Sequence, residues 1–162
     1  MHPIADLQLL VLLIFANGTP VIAKWILGRR WQWPLDHGLR LGDGRPLLGA
    51  SKTARGLVLS VLVTSAGAPV LGLSWRIGAL VAAAAMAGDL LSSFTKRRLG
   101  RPSSSRALGL DQIPESLLPA LACIGALGLS PWDVALVVAV FFAGEILLSR
   151  VLYRAHVRDE PY

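Results

Sequence analysis

An aspartate lies inside an apolar, alanine-rich stretch of the chain, and polar residues follow it at helical spacing. Ser92, Ser93 and Lys96 come three, four and seven residues after Asp89, so a helix would carry all four on one face. A charged carboxylate at the centre of a bilayer costs about 2.5–3.5 kcal/mol on insertion scales. Asp89 is therefore expected either to bind a ligand or to form a structural ion pair that locks two helices together.

A second group of charges follows directly. Lys96, Arg97 and Arg98 are consecutive, and Asp111 opens the next apolar stretch with Glu115 on the same helical face. Carboxylates and phosphate oxygens together suit a divalent metal, and neighbouring cations stabilise charge during phosphoryl chemistry. This pattern favours a site for a metal-bound polyphosphate. The alternative for Asp111 is a helix N-cap.

An earlier glycine-rich segment, residues 42–56, has a related composition. Its Gly44 and Gly49 have P-loop spacing, but Lys52 and Thr53 come two residues too late and no strand precedes them, which excludes a Walker A motif. Exposed backbone N–H groups, cations and hydroxyls still suit a phosphate. The alternative is a solvated basic loop. The candidate phosphate-binding residues are Asp43, Gly44, Arg45, Ser51, Lys52, Thr53 and Arg55.

The elements that carry these residues are predicted to be transmembrane helices. The 162-residue chain is 54% hydrophobic and 16% charged, with a mean hydropathy of +0.57, whereas soluble domains are about 25% charged. A spanning helix needs roughly 20 apolar residues. We predict an all-α integral membrane bundle, one domain over residues 1–162 with two long loops. Its five spans are residues 4–27, 57–73, 77–94, 113–129 and 132–152.

Basic residues predict the orientation of this bundle. They concentrate in the two long loops and the tail: Arg29, Arg30, Arg40, Arg45, Lys52 and Arg55; Lys96, Arg97, Arg98, Arg101 and Arg106; Arg150, Arg154 and Arg158. The positive-inside rule then places both loops and the C-terminus in the cytoplasm and the N-terminus outside. We predict a multi-pass protein of the inner cell membrane.

Details within the spans predict how the helices are arranged. Span three, rich in alanine and glycine, is expected at the centre of the bundle because small residues let helices approach closely. Pro20 should kink span one, with Asn17 and Thr19 satisfying the backbone group that it frees. The kink either has no further role or, together with Asn17, shapes a cavity for a lipid phosphate. Ser130 and Asp133 form a capping box. Glu145 is expected to be structural, paired with Lys24 or Arg150.

Other chemistries have little support in the sequence. The single cysteine, Cys123, excludes an intramolecular disulfide and a cysteine metal cluster. His2, His37 and His156 have no metal-ligand spacing. The basic loops lack the interleaved aromatic residues of a single-strand nucleic-acid surface, so no nucleic acid partner is expected.

The motifs together resemble those of the CDP-archaeol synthase family, small relatives of CDP-diacylglycerol synthases. The likeness extends from residue 17 to about residue 118. It lies in Asn17 with Pro20, Asp43-Gly44-Arg45-Pro46, Ser51-Lys52-Thr53 with Arg55-Gly56, Gly88-Asp89-Leu90, Ser93-Phe94 with Lys96-Arg97, and Leu110-Asp111-Gln112.

The resemblance implies a five-span cytidylyltransferase that holds CTP and Mg²⁺ between two cytoplasmic loops. It would transfer CMP to the phosphate of an archaeol-type or phosphatidate-like lipid and release pyrophosphate. Asp89 and Asp111 would bind Mg²⁺ and act with Lys96 and Arg97 in catalysis. Ser93 and the residues of segment 42–56 would hold CTP. The family commonly has a second aspartate three residues after the position of Asp111, where this chain has Pro114; the nearby Glu115 is the alternative acid.

Two other functions are open at this point. A CDP-alcohol phosphotransferase would need Asp-Gly-x-x-Ala-Arg followed by spaced aspartates, and Asp43-Gly44 lacks that continuation. A non-catalytic helical scaffold, or a degenerate paralogue that binds anionic lipid, would account for Pro114 in place of an acid. The oligomeric state, including a homodimer, is also open.

Overall fold

The computed structural model describes residues 2–28, 30–105 and 107–154, and the elements in these ranges are helices. Their order is α1 (Pro3–Leu27), α2 (Ala54–Gly67), a 3₁₀ turn (Ala68–Leu71), α3 (Trp75–Arg98), α4 (Gln112–Ala122), α5 (Ile124–Leu127) and α6 (Pro131–Arg154). In the first loop, isolated antiparallel bridges pair Pro34 with Thr53 and Arg40 with Pro46. Among the cations that predicted the orientation, Arg29, Arg106 and Arg158 lie outside the described residues.

Four segments of the described chain are long and apolar enough to cross a membrane. They are Pro3–Leu27, Ala54–Leu71, Trp75–Arg98 and Pro131–Val151. The remaining predicted span, residues 113–129, consists of the two shorter helices α4 and α5, which are interrupted at Cys123. Pro119 and Gly125 lower the helix propensity of this segment. The all-helical architecture is confirmed, whereas a fifth crossing stays a prediction.

Helix α3 lies at the centre of the bundle, where it packs against α1, α2 and α4. Its buried face presents small residues to the core, including Val81, Ala82 and Ala85. Glycines allow the neighbouring backbones to approach closely, because they have no Cβ atom. A Cβ atom on Gly78 would lie 2.8 Å from the Cα atom of Ser65. The predicted central position of this helix is confirmed.

Pro20 lies inside α1, as predicted, but the groups around it are satisfied differently from the prediction. Proline has no N–H, so the carbonyl of Ala16 loses its helical donor. The hydroxyl of Ser60 on α2 donates to that carbonyl at 2.8 Å. Asn17 and Thr19 instead donate to Leu13 and Phe15 of their own helix. The prediction that they cap the freed carbonyl is wrong, because the helical backbone brings their side chains to other carbonyls four residues earlier.

The capping box at the start of α6 is confirmed. The Asp133 carboxylate accepts from the backbone N–H of Ser130 at 2.8 Å, and the Asp133 N–H donates to the Ser130 hydroxyl at 3.3 Å. The same carboxylate accepts from the backbone N–H of His2 at 3.0 Å. These bonds join the beginning of α1 to the beginning of α6 at the end of the bundle opposite the two long loops.

We expect Gly88→Ala to destabilise the crossing of α3 and α4. An added Cβ atom would lie 2.8 Å from the backbone nitrogen of Glu115, which cannot move without shifting α4. Overpacking of this kind costs about 1–3 kcal/mol. Thermal unfolding in detergent should show a lower melting temperature.

Gly144→Ala in α6 is the matched control, because its Cβ atom would meet nothing within 4 Å. Alanine is favoured over glycine inside a helix by about 1 kcal/mol, so this variant should unfold at the wild-type temperature or slightly above it. Equal melting temperatures for the two variants would contradict the tight crossing.

Candidate active site

A cavity of about 320 Å³ lies at the end of the bundle where the two long loops meet. Its walls come from α1, α3, α4, α6 and both loops. Most of the acidic and basic residues that the sequence singled out converge here. The predicted site residues that line it are Ser51, Lys52, Asp89, Ser93, Lys96, Arg97 and Asp111.

An ion pair joins the first loop to α3 inside this cavity. The ammonium of Lys52 contacts both carboxylate oxygens of Asp89, with 2.6 Å between Nζ and Oδ2. Both side chains are about four-fifths buried. A buried pair of this kind is stable only while both charges are present. Asp89 is therefore paired, as its position in an apolar helix required, and the pair lies within a cavity and not in a closed core.

A second ion pair joins the end of α3 to the start of α4. Lys96, which is 7% exposed, lies 2.6 Å from a carboxylate oxygen of Asp111. It also donates to the carbonyl of Ser105 at 2.8 Å. The other Asp111 oxygen accepts from the backbone N–H of Ala107 at 2.9 Å. The backbone of the second loop is thus hydrogen-bonded to both members of this ion pair.

Asp111 occupies the N-cap position of α4, yet its side chain makes no capping hydrogen bond. The interpretation of this residue as a helix cap is wrong, because both of its oxygens are directed to the loop and to Lys96. Gln112 accepts from the backbone N–H of Gly109 at 2.8 Å and orders the chain before the helix instead.

A carboxyl group from α4 lies directly against Asp89. Glu115 is buried and within hydrogen-bonding distance of the Asp89 carboxylate. Two carboxylates at this distance repel each other unless a proton or a cation lies between them. Glu145 of α6 lines the same cavity. The sequence analysis predicts only a structural role for Glu145.

These acids suit a metal ion that is bound partly by the protein and partly by substrate phosphates, and they do not form a complete set of protein ligands. Within the described ranges, no three histidine, cysteine or acidic side chains are grouped closely enough to hold a metal alone. Mg²⁺ is usually bound by one or two carboxylates together with substrate phosphates and water. Asp89, Glu115 and Asp111 line the cavity, and each could supply a carboxylate of this kind.

Arg97 supplies a strongly buried cation to the same cavity. The residue is 3% exposed, and its Nε and Nη1 atoms have no hydrogen-bond acceptor among the described residues. A buried guanidinium without acceptors is unfavourable. Its Nη1 lies 3.7 Å from where a Cβ atom of Gly49 would be, so glycine at this point of the first loop leaves room beside the guanidinium. The arrangement suits an oxyanion.

Asp43, Gly44 and Arg45 lie away from the cavity. The Asp43 carboxylate pairs with Arg98 at 2.8 Å and accepts from the backbone N–H of Arg45 at 3.0 Å. The hydrogen bond from Arg45 and the charge of Arg98 lower the pKa of Asp43. The Arg45 guanidinium donates to the carbonyl of Arg98. This group fastens the tip of the first loop to the end of α3.

Thr53 and Arg55 lie where the first loop enters α2. The Thr53 hydroxyl accepts from the backbone N–H of Gly56 at 3.2 Å and so caps α2. Thr53 also lines a smaller adjoining cavity of about 60 Å³, next to Lys52 and Asp89. Arg55 donates to the carbonyls of Gly28 and Arg30, which connects this point to the end of α1.

Asp36 is a residue that sequence reasoning missed. Its carboxylate accepts from the backbone N–H groups of Gly38, Leu48 and Gly49 at 3.0, 2.9 and 2.9 Å. Burial acts to raise the pKa of Asp36, but these hydrogen bonds outweigh it and lower the pKa below its ordinary value. Asp36 before Gly38 signals an Asx-turn, whereas nothing in the sequence signals the contact with Leu48 and Gly49.

We expect Asp36→Asn to loosen the first loop. The substitution replaces two charged carboxylate oxygens with one neutral amide oxygen. A hydrogen bond to a charged group contributes about 1.5–3 kcal/mol to stability. Backbone amides of residues 48 and 49 should exchange with deuterium about tenfold faster at pH 7, with the amides of α3 as the internal reference.

The stability of the first loop is expected to decrease at acidic pH. Because the pKa of Asp36 is lowered on folding, its stabilisation is complete above the ordinary value of 3.8 and is lost as the pH falls through the folded value. Acidification should therefore loosen the same segment of the wild type. Unchanged exchange in the variant would contradict the bracing role.

Comparisons with known proteins identify relatives of this chain. The sequence model of the family described as CarS-like CDP-archaeol synthase matches residues 5–162. The CDP-archaeol synthase of Sulfurisphaera tokodaii is 36% identical over 135 residues, which cover 80% of this chain and 81% of the relative. That of Aeropyrum pernix is 40% identical over 141 residues, covering 83% and 75%.

A solved structure gives the same result. It is described as an intramembrane enzyme for archaeal membrane lipids biosynthesis, and it superimposes on this chain with a TM-score of 0.76 and 32% identity. The match covers 87% of this chain and 90% of the solved chain.

Proposed function

The chain belongs to the CDP-archaeol synthase family, and on this premise we propose that it transfers CMP from CTP to the phosphate of an archaeol-type lipid. The products are a CDP-lipid and pyrophosphate. The observation that carries the proposal is the cavity in which Lys52, Lys96 and Arg97 meet Asp89 and Asp111 at one end of an apolar bundle. Such a site can hold a polyphosphate beside a lipid headgroup.

The reaction needs positioning and charge neutralisation more than a protein nucleophile. An oxygen of the lipid phosphate attacks the α-phosphorus of CTP, a new P–O bond forms, and the bond to the β-phosphate oxygen breaks in line. Pyrophosphate leaves with that electron pair. The lipid phosphate is already anionic, so no strong base is required. Lys52, Lys96 and Arg97 bind the triphosphate oxygens and stabilise the developing charge.

We assign Mg²⁺ to Asp89 and Asp111, with Glu115 as the acid that replaces the family's aspartate at the position of Pro114. When bound, the ion would neutralise triphosphate charge and polarise the phosphorus under attack. Glu115 supports this assignment because its carboxyl group lies against that of Asp89. Ser51 and Ser93 would donate hydrogen bonds to CTP. Asp43, Gly44, Arg45, Thr53 and Arg55 would act by holding the first loop in place.

Membership in the family and the apolar helices make this a multi-pass membrane protein. We propose that α4 and α5 together form a fifth crossing, so that the termini lie on opposite sides. The basic loops then face the cytoplasm, where CTP is available, and the N-terminus lies outside the inner cell membrane. Phosphatidate-like lipids are the alternative acceptor, and a homodimer is compatible with the proposal.

We expect Asp111→Asn and Lys96→Met each to reduce CMP transfer at least 100-fold, because each removes a charge that holds or activates the triphosphate. The measurement is incorporation of radiolabel from α-labelled CTP into extracted archaeol-type phosphate, with product mass confirmed by mass spectrometry. Arg76→Gln, in the first turn of α3 and outside the cavity lining, is the control and should retain wild-type activity.

Wild-type-like activity in either site variant would refute the assigned role. Absence of incorporation by the wild type, with lipid binding intact, would favour the non-catalytic scaffold.

Binding of CTP should depend on a divalent metal. Calorimetry on the detergent-solubilised wild type should give heat of CTP binding with Mg²⁺ and a strongly weakened signal with EDTA, since Asp89 and Asp111 would then repel the triphosphate. Asp89→Asn should lose this metal dependence. If the wild type gives no heat of CTP binding with either Mg²⁺ or EDTA, the proposed function is overturned.

A further inference from the structure

Part of the cavity lining carries none of the residues that are assigned to the triphosphate. The cations assigned to CTP come from the first loop and α3, whereas α1 and α6 form another part of the lining. Residues of these two helices that line the cavity are Asn17, Pro20, Val21 and Lys24 on α1, and Glu145, Ile146 and Ser149 on α6. Among these, Lys24 is the basic residue.

Lys24 lies at the border between this cavity and the lipid-facing surface. It follows Pro20 by one helical turn and lies in the last turn of α1. The next residues, Trp25 and Ile26, are 61% and 66% exposed, as expected for side chains that face hydrocarbon. On α6, Leu147 is 63% exposed directly after the cavity residue Ile146. Apolar surface therefore borders the cavity on both helices.

The two substrates of the proposed reaction reach the cavity from different phases. CTP is soluble, but the acceptor lipid keeps its tails in the bilayer and must present its phosphate from the side. A lysine near a helix end commonly extends along apolar surface toward the interface, which by itself needs no function. Lys24 differs because it also lines the cavity that contains Asp89 and Asp111.

We propose that Lys24 binds the phosphate of the acceptor lipid at the α1–α6 side of the cavity. This inference rests on the proposed function and assigns its second substrate to a separate subsite. Glu145 is the acidic group on the same wall. The lipid tails lie along the exposed apolar residues of α1 and α6, and the phosphate points toward the triphosphate. Lys24 acts here as a substrate-binding residue that determines affinity for the lipid.

Steady-state kinetics in mixed micelles test this subsite. Lys24→Ala should raise the KM for dialkylglycerol phosphate about tenfold or more, while the KM for CTP stays within about twofold of the wild type. Lys24→Arg should restore most of the lipid affinity, because it keeps the charge. Arg150→Ala, which removes an exposed cation of α6 outside the cavity lining, controls for general attraction to anionic micelles and should leave both constants unchanged.

A binding measurement separates this inference from the proposed function. Native mass spectrometry should show that the wild type retains dialkylglycerol phosphate in preference to the same lipid without phosphate, and that Lys24→Ala loses this preference. Inorganic phosphate at equal concentration should not displace the lipid if the tails contribute to binding. Displacement would mean that the site recognises free phosphate and would overturn the lipid assignment.

The remaining outcomes are also decisive. An unchanged lipid KM and unchanged lipid retention in Lys24→Ala would refute the subsite even if CMP transfer proceeds. Equal losses for Lys24→Ala and Arg150→Ala would refute it as well. If the wild type binds the lipid through Lys24 but incorporates no CMP, the proposed function fails and the lipid subsite stands.

Discussion

The arrangement of this protein depends on burying opposite charges together at one end of an apolar bundle. Lys52 with Asp89 and Lys96 with Asp111 each join segments that are distant along the chain. Loss of one partner from such a pair leaves a buried charge uncompensated, at a cost of about 3–5 kcal/mol. The same four groups suit a metal-bound triphosphate, whose anionic oxygens can take the lysines while the metal takes the aspartates. Binding can therefore exchange partners without leaving a charge alone.

These ion pairs need backbones held at close and constant distances. Gly88 lets α3 approach α4 until the two backbones touch, which brings Glu115 against Asp89. Ser60 satisfies the carbonyl freed by Pro20 and so joins α2 to α1. Asp36 holds the first loop by three backbone hydrogen bonds. The Gly88 contact lies directly beside Asp89, whereas Ser60 and Asp36 line neither of the two cavities. All three contacts hold elements that carry charged residues of the site.

Apolar length, charge placement and helical spacing were sufficient to predict the all-helical architecture, the central place of α3 and the convergence of Asp89, Lys96 and Asp111. They act over a few residues and can be recognised in one sequence. Which cation meets which acid could not be predicted, because Lys52 and Asp89 are brought together only by folding of the first loop. For the same reason Asp43 and Arg45, grouped with the phosphate ligands by composition, lie instead against the end of α3. Asp36 went unnoticed because its distant partners are backbone amides, which every residue offers.

The interruption at Cys123 has a consequence for the surrounding bilayer. Residues 112–127 rise about 24 Å as helix, less than the roughly 30 Å of a typical hydrocarbon layer. If α4 and α5 form the proposed fifth crossing, a wall of this length would create hydrophobic mismatch, which a membrane relieves by thinning next to the protein. Headgroups beside α4 would then sit deeper than elsewhere, nearer to the level of the buried acids. The brevity of this one segment would then shorten the distance between the lipid surface and the charged interior.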